Sequence, residues 1–285
     1  MKLEDENLHI WSTSSYMGDQ MFYLAGALHL MKERQKNGVI IHTGRQSWSP
    51  LVGQWHPAES QILKLWSALD FVKGVIFDLE QVRPIDTGCH ESLYDVKIAT
   101  QLIDYNDHIY KIGDHLIDFL LPRCPITQSK NRKTAVFQPL SLTNRSEKLK
   151  PEYTPHWEKS LEQLLEKGYD VYMIGGPNDQ KDIEENYPHF SKLPLINLVN
   201  KISLLEAFMI IMKKASFVLS CDSWSAWAAI ANRVKCGVAA GPTFESGTDA
   251  SHLKILGNAD CYCLNWSKEQ KNCDNNLSQW IEQNA

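Results

Sequence analysis

Between Ala215 and Thr243 the chain runs ASFVLSCDSWSAWAAIANRVKCGVAAGPT, and this stretch restricts the possible folds more than any other. Ser216 to Ser220 is a short apolar run rich in β-forming residues, the pattern of a buried strand. Cys221-Asp222-Ser223 breaks it with residues that favour turns and helix N-caps. Trp224 to Asn232 is Ala-rich and apolar, a helix former with small side chains. Lys235 to Ala240 is a second strand, and Gly241-Pro242-Thr243 closes it in a turn. Strand, turn, helix, strand, turn makes a βαβ unit, whose two strands run parallel. In open α/β sheets, ligands bind beyond the carboxyl ends of the strands, where both turns fall. The first turn also opens a helix, whose unpaired N–H groups and positive dipole end attract phosphate. The unit is therefore expected to form half of a site for a phosphate-bearing ligand. Plain helix capping by Asp222 fits the same residues.

With 285 residues the chain has room for two domains of ordinary size. A hydrophobic fraction of 43% and a charged fraction of 22% belong to a soluble globular protein. The net charge of −5 argues against a general polyanion binder. The start, MKLEDENLHIW, is acidic where a signal peptide needs a basic region, and the longest apolar runs are too short for a bilayer. A cytoplasmic setting is the expectation. Cys89, Cys124, Cys221, Cys236, Cys261, Cys263 and Cys273 are odd in number and lack paired metal-ligand spacing, so reduced thiols are expected.

Strands and helices alternate along the rest of the chain. Leu8 to Ser12 reads as a strand, Thr13 to Asp19 as a polar turn, and Met21 to Lys32 as a helix with one apolar face. Val39-Ile40-Ile41 begins a strand, Ser60 to Val72 a helix, and Gly74 to Asp78 a third strand. Further helices are expected over Ser92 to Ile103 and Leu116 to Leu121, with a strand at Ile109 to Ile112. Arg123 to Lys133, flanked by Pro122 and holding Pro125, reads as a linker. The alternation then restarts with a strand at Thr134 to Phe137, a helix at His156 to Glu166 and a strand at Tyr169 to Ile174, stopped by Gly175-Gly176-Pro177. A short helix over Asp179 to Asn186, a strand at Leu195 to Val199 and a helix at Leu204 to Lys214 lead into the βαβ unit. Asp260 to Leu264 reads as a last strand, and Leu277 to Glu282 as a final helix. The fold class is α/β: two halves, residues 1–130 and 131–285, with parallel sheets whose polar turns face a central cleft. The final helix is free to pack back on the first half.

STSSYMGDQMFYLAGALHLMKE resembles the N-terminal signature of heptosyltransferase-type glycosyltransferases, family 9: a strand, Ser-Ser-x-x-Gly-Asp, then a helix with Ala-Leu. The second half follows the same family in order. A phosphate loop runs from Gln138 to Lys148, then come His156-Trp157, Gly-Gly-Pro-x-Asp at Gly175 to Asp179, Asp222-Ser223, and Gly-Pro-Thr from Gly241 to Thr243. The resemblance implies the GT-B architecture, two Rossmann-like domains with the nucleotide-sugar donor held mostly by the C-terminal one. The family's Asp-Ser/Thr-Gly-x-x-His pattern is altered here: Trp224 stands at the glycine position and Trp227 at the histidine.

Glycosyl transfer needs a base for the acceptor hydroxyl, groups for the departing diphosphate, and a pocket that aligns both. Asp19 matches the family's base position. Lys148 sits where the family's phosphate-binding lysine falls, with Arg145 as the rival, and Ser141 and Thr143 as hydroxyl donors. The surrounding basic residues Arg123, Lys130, Arg132, Lys133 and Lys150 suggest the same role. Ser223, with the backbone amides of the Asp222 turn, is assigned to the other phosphate oxygens, Asp179 after the Gly176 turn to the ribose, and Trp224, Gly241 and Thr243 to the donor pocket. A carboxylate accepts from two neighbouring hydroxyls, though Asp179 fits a helix cap as well. On the acceptor side are Ser15, Gly18, Arg45, Trp48, Trp55 and His56, whose indoles suit stacking on a sugar ring or a flipped-out base.

No carboxylate pair of the D-x-D kind occurs as a metal site; the resemblance implies a metal-independent transferase that inverts by direct displacement, with no cofactor beyond a nucleotide-diphosphate sugar as co-substrate. The acceptor is expected on a glycan. Competing readings are a DNA-modifying glycosyltransferase acting on a hydroxymethylated pyrimidine, a nucleotide-sugar epimerase or hydrolase, and a non-catalytic nucleotide-sugar-binding protein. The sequence leaves the oligomeric state open.

Overall fold

The computed structural model describes residues 6–11, 17–44, 66–67, 69–78, 132–140, 157–221, 223–239, 253–256 and 278–285. The chain divides into two compact units, Met1–Pro122 and Arg123–Ala285. In the first, β1 (Asn7–Trp11), β2 (Gly38–Gly44) and β3 (Val72–Asp78) pair in parallel in that order. Helix α1 (Met17–Glu33) joins β1 to β2. Leu8 and Ile10 alternate along β1 with the opposite-facing His9, and they are buried together with Val39, Ile41, Leu24, Ala27 and Leu28.

The second unit builds a six-stranded parallel sheet. Its elements are β4 (Lys133–Gln138), α2 (Glu158–Glu166), β5 (Tyr169–Met173), α3 (Pro177–Asn186) and a 3-10 turn at Pro188–Lys192. They continue with β6 (Ile196–Asn197), α4 (Leu204–Lys213), β7 (Ala215–Cys221), α5 (Trp224–Ala231), β8 (Lys235–Ala239) and β9 (Leu253–Leu256). The spatial order is β6-β5-β4-β7-β8-β9, which counted within the unit is 3-2-1-4-5-6, the order of the doubly wound fold. Such a sheet is covered on both faces, so its central strands are apolar throughout: Ala135 to Phe137 and Phe217 to Leu219 are fully buried. One face packs Ala135, Phe137, Val171, Met173, Phe217 and Leu219 against Leu161 and Leu164 of α2, Ile183 of α3 and Ile281. The opposite face, which includes Gln138 and Ser220, is the one that α5 approaches through Ser225.

Local chemistry explains the boundaries. Helix α2 stops because Gly168 adopts a φ of +82°, a left-handed conformation that costs a residue without Cβ little. Helix α4 starts at the capping box of Ser203 and Glu206. The helical residues 278–284 are tied to the second unit: Ile281 lies in its core, Trp280 packs on Phe217 at 5.2 Å, and Lys167 Nζ donates to the Glu282 carbonyl at 3.0 Å.

Several expected boundaries move. Helix α1 begins at Met17, so Gly18 and Asp19 lie in its first turn, where a carboxylate complements the dipole. Val72, expected to end a helix, opens β3, and Lys133, expected in the linker, opens β4. The strand β9 was not legible: four residues, LKIL, are too few to show a period. The elements expected over 92–103, 109–112, 116–121 and 260–264 lie outside the described residues.

Candidate functional site

The doubly wound order reverses between β4 and β7, and the crevice at their carboxyl ends is where this architecture takes ligands. Gln138 ends β4 and pairs in register with Ser220 of β7. From there a polar cluster reaches the N-terminus of α5. Ser223, the N-cap, donates its hydroxyl to Gln138 Oε1 at 3.0 Å and accepts from the Ser225 N–H at 3.3 Å. Ser220 and Ser225, both fully buried, are 2.6 Å apart, and Ser223 lies 3.0 Å from Ser225. Gln138 Nε2 donates to the Leu140 carbonyl at 3.0 Å. Buried polar groups of this kind persist only when paired, and these satisfy one another.

A second site element follows β5. Asp179, 6% exposed, is the third residue of α3 and accepts from the Gly176 N–H at 2.5 Å. Gly175 makes this possible: a Cβ there would meet Asp179 Cβ at 2.9 Å and Oδ2 at 3.0 Å. In the structure, then, Gly-Gly-Pro-x-Asp is a helix start whose N3 carboxylate accepts from the N-cap N–H. The Asn200 N–H donates to the Gly175 carbonyl at 3.0 Å, which ties the loop after β6 to the same corner.

Trp224 begins α5, and its indole stacks on Phe208 of α4 at 5.4 Å and 17°. The ring is thus held by α4, while the Ser223 hydroxyl turns to Gln138. Trp227 is 9% exposed within the same helix. Deep burial pushes the Cys236 thiol pKa up, which keeps it protonated and unreactive.

Of the basic stretch before residue 150, Arg132 and Lys133 are among the described residues. Arg132 lies at the amino end of β4, where it pairs with Asp170 at 3.0 Å and donates to the Tyr169 carbonyl at 3.2 Å. Lys133 Nζ sits 5.3 Å from the centroid of the Tyr169 ring. A six-residue strand spans about 20 Å, so these two cations are at the far edge of the sheet from the crevice.

In the first unit Asp19 and Gly18 occupy the opening turn of α1, the helix that follows β1 in the chain. On β1 and β2, His9 Nδ1 lies 2.7 Å from His42 Nε2. Burial, reinforced by the neighbouring His9, holds the His42 pKa below its ordinary 6.5. Ser15, Arg45, Trp48, Trp55, His56, Ser141, Thr143, Arg145, Lys148, Asp222, Gly241 and Thr243 lie outside the described residues. Of the assigned donor residues, the structure brings Ser223 and Trp224 to the start of α5, and Gly176 and Asp179 to the start of α3.

Gln138, Ser220 and Ser225 were missed as site residues, although Gln138 was read as the first residue of a loop. Their signal is a polar residue ending an otherwise apolar buried strand, in Ala-Val-Phe-Gln and Val-Leu-Ser. Among the described residues, no group of three or more His, Cys, Asp or Glu side chains could hold a metal ion. Among the same residues, no helix is long and apolar enough to cross a membrane.

Comparison with known proteins agrees with this architecture. The family model for glycosyltransferase family 9 (heptosyltransferase) matches residues 76–232, more than half of the chain. The chain therefore belongs to glycosyltransferase family 9, and it is a glycosyltransferase. Among solved structures, E. coli heptosyltransferase WaaC with ADP-2-deoxy-2-fluoro heptose is similar: TM-score 0.53, 16% identity, 98% of this chain and 100% of that one. The E. coli ADP-heptose lps heptosyltransferase II matches with TM-score 0.50 and 13% identity over 97% of this chain and 99% of that one. The iron-containing dodecameric glycosyltransferase TibC of enterotoxigenic E. coli matches with TM-score 0.52 and 11% identity, over 99% of this chain and 78% of that one. At these identities the likeness is one of fold, the α/β GT-B architecture with parallel sheets. No curated protein matches the chain.

Proposed function

We propose that this protein transfers a sugar from a nucleotide-diphosphate sugar to an acceptor hydroxyl on a glycan, with inversion and without a metal ion. The observation that carries the reading is the polar crevice between β4 and β7, with the N-terminus of α5 opening into it. Helix N–H groups and the positive dipole end suit a diphosphate leaving group, and they supply what a metal ion supplies elsewhere. The C-terminal half, from residue 131, is assigned to the donor, and the N-terminal half, to residue 130, to the acceptor.

Asp19 is the proposed base. Its carboxylate takes the proton from the acceptor hydroxyl as that oxygen attacks the anomeric carbon. The bond from that carbon to the diphosphate oxygen breaks, and the nucleoside diphosphate leaves with the electron pair. Displacement from the opposite side inverts the anomeric centre. Lys148 or Arg145, with Ser141 and Thr143, is assigned to the phosphates, Asp179 to the ribose, and Ser15, Gly18, Arg45, Trp48, Trp55 and His56 to the acceptor. The setting proposed for the reaction is the cytoplasm.

The test is transfer from ADP-heptose and other sugar nucleotides to a panel of glycans, followed by mass spectrometry. Asp19→Ala is expected to lower transfer by roughly 10²- to 10⁴-fold, as for loss of a general base, with its circular dichroism unchanged. Transfer that persists at wild-type rate in that variant refutes the assignment. Activity retained in EDTA supports the metal-free reading, and loss in EDTA that added divalent cation restores refutes it.

A further inference from the structure

We propose that the bond between His9 and His42 is an acid-sensitive latch joining β1 to β2: it holds while the two rings carry at most one positive charge and opens when both are charged. His9 Nδ1 and His42 Nε2 are 2.7 Å apart, with the ring centroids 5.0 Å apart and the planes inclined at 41°. His9 pairs in register with Ile40, and His42 with Trp11, so both rings stand on the sheet face opposite Leu8, Ile10, Val39 and Ile41. Between two imidazole nitrogens one proton is shared: one side donates its N–H and the other accepts. A single added proton strengthens that bond, because the donor ring is then an imidazolium. Two added protons put N–H groups on both facing nitrogens, and neither can accept from the other.

The setting of the pair carries this proton count to the strands. His42 is 6% exposed, so a second charge there is both buried and opposed by its neighbour. Burial first, and His9 second, hold the His42 pKa below its ordinary 6.5, the direction of a ring kept neutral in the folded unit. Its contribution to stability is complete above 6.5 and is lost as the pH falls from there through the lower folded value, because the unfolded chain takes up the proton first. Charged groups lie on every described element around the pair. Glu6, just before β1, accepts from Asn37 Nδ2 at 3.0 Å, and Lys73 of β3 donates to the Asp70 carbonyl at 2.6 Å. Asp78 ends β3 in register with Gly44, and on α1 His29 lies 3.9 Å from Glu33, with Lys32 and Arg34 close by in sequence. These groups set the pH at which the second proton arrives; they do not change the two facing N–H groups that it creates. In the chain β1 leads to α1, whose first turn holds Asp19, so the latch governs the strand pair next to the proposed base without depending on that assignment.

The experiment is an NMR titration of the full chain from about pH 8 to about pH 5, the range in which histidines ordinarily charge. Ring Cε1–H signals report the charge of His9 and His42, and amide hydrogen exchange reports opening of the strands. His42 is expected to charge below 6.5, and the protection factors of the β1 and β2 amides to fall by roughly tenfold per pH unit below it, the slope of one proton taken up. The fall is measured relative to the amides of β4 and β7 in the other unit. His42→Gln keeps an acceptor for the His9 N–H but carries no charge, and it is expected to abolish the fall. If that variant does not fold, His9→Gln, which also leaves a single chargeable ring, takes its place. A wild-type His42 that charges at or above 6.5 overturns the inference. So do β1 and β2 amides that stay as protected as those of β4 and β7, or a fall that persists in the variant. Sugar transfer has no part in the readout, so each of these results leaves the transferase reading standing.

Discussion

The two edges of the six-stranded sheet are built from different chemistry. At the amino edge, cations serve main-chain carbonyls. Lys167 donates to the carbonyls of Glu282 and Ala285, Lys235 to that of Asn284, and Arg132 to those of Gly168 and Tyr169. The bonds from Lys167 and Lys235 end the last helix and fasten it to the unit, since cations complement a helix C-terminus. At the carboxyl edge, the polar cluster of Gln138, Ser220, Ser223 and Ser225 is uncharged, and α3, α4 and α5 all present their N-termini there. Positive side chains at one edge are engaged by carbonyls and by Asp170, while at the other the Asp179 and Glu206 carboxylates cap α3 and α4, and α5 has no acidic residue in its first turn. The proposed function places its anionic ligand at the edge with fewer basic side chains among the described residues. Counting lysines and arginines along the sequence gives the opposite impression.

The comparison can be broken most severely at the amino edge. Phe217 is fully buried between Tyr169 at 6.2 Å and Trp280 at 5.2 Å. Phe217→Ala is expected to cost about 3–5 kcal/mol, read by urea denaturation, and to free the last helix from its packing. Nucleotide affinity of the fraction that remains folded should be unchanged; a loss there means that the two edges are coupled.

A smaller effect is expected at the carboxyl edge from Gly175→Ala. The added methyl group meets Asp179 Cβ at 2.9 Å, and overpacking of this kind costs about 1–3 kcal/mol. Asp179→Gly in the same background should remove the clash along with the cap. If Gly175→Ala is neutral by itself, the close approach of Asp179 to the backbone is not a constraint.

The smallest effect concerns Glu206, whose pKa is held below its ordinary 4.5, first by the Ser203 N–H and then by the Ser203 hydroxyl. A depressed carboxylate contributes stability that is complete above 4.5 and disappears as pH falls through the lower folded value. Glu206→Gln should therefore destabilise the protein slightly at pH 7, and the difference from wild type should shrink as the pH drops below 4.5. A difference that is constant with pH would show that the carboxylate's charge has no part in the cap.

The contrast between the edges also marks what was legible beforehand. The strand at 216–220, the helix from Trp224 and the strand from Lys235 were read from local pattern, because a buried parallel strand and an Ala-rich helix leave distinct periods. Ser223 was identified because capping residues act on backbone within two positions of themselves. Gln138 was not, because its partner lies 85 residues away and only the pairing of β4 with β7 brings them together. Asp179 was placed on a turn, and only the tertiary structure shows its carboxylate accepting from the Gly176 N–H at 2.5 Å.

By itself, then, the sequence determined the alternation of strands and helices, the parallel sheet that follows from it, and the short motifs that resemble a transferase family. Those depend on interactions within a few residues, which local order encodes directly. Tertiary structure alone decided the strand order, the amide that bridges β4 to α5, and the assignment of Arg132 and Lys133 to the far edge. Each of these depends on which distant segments become neighbours, and that is set by the packing of the whole sheet.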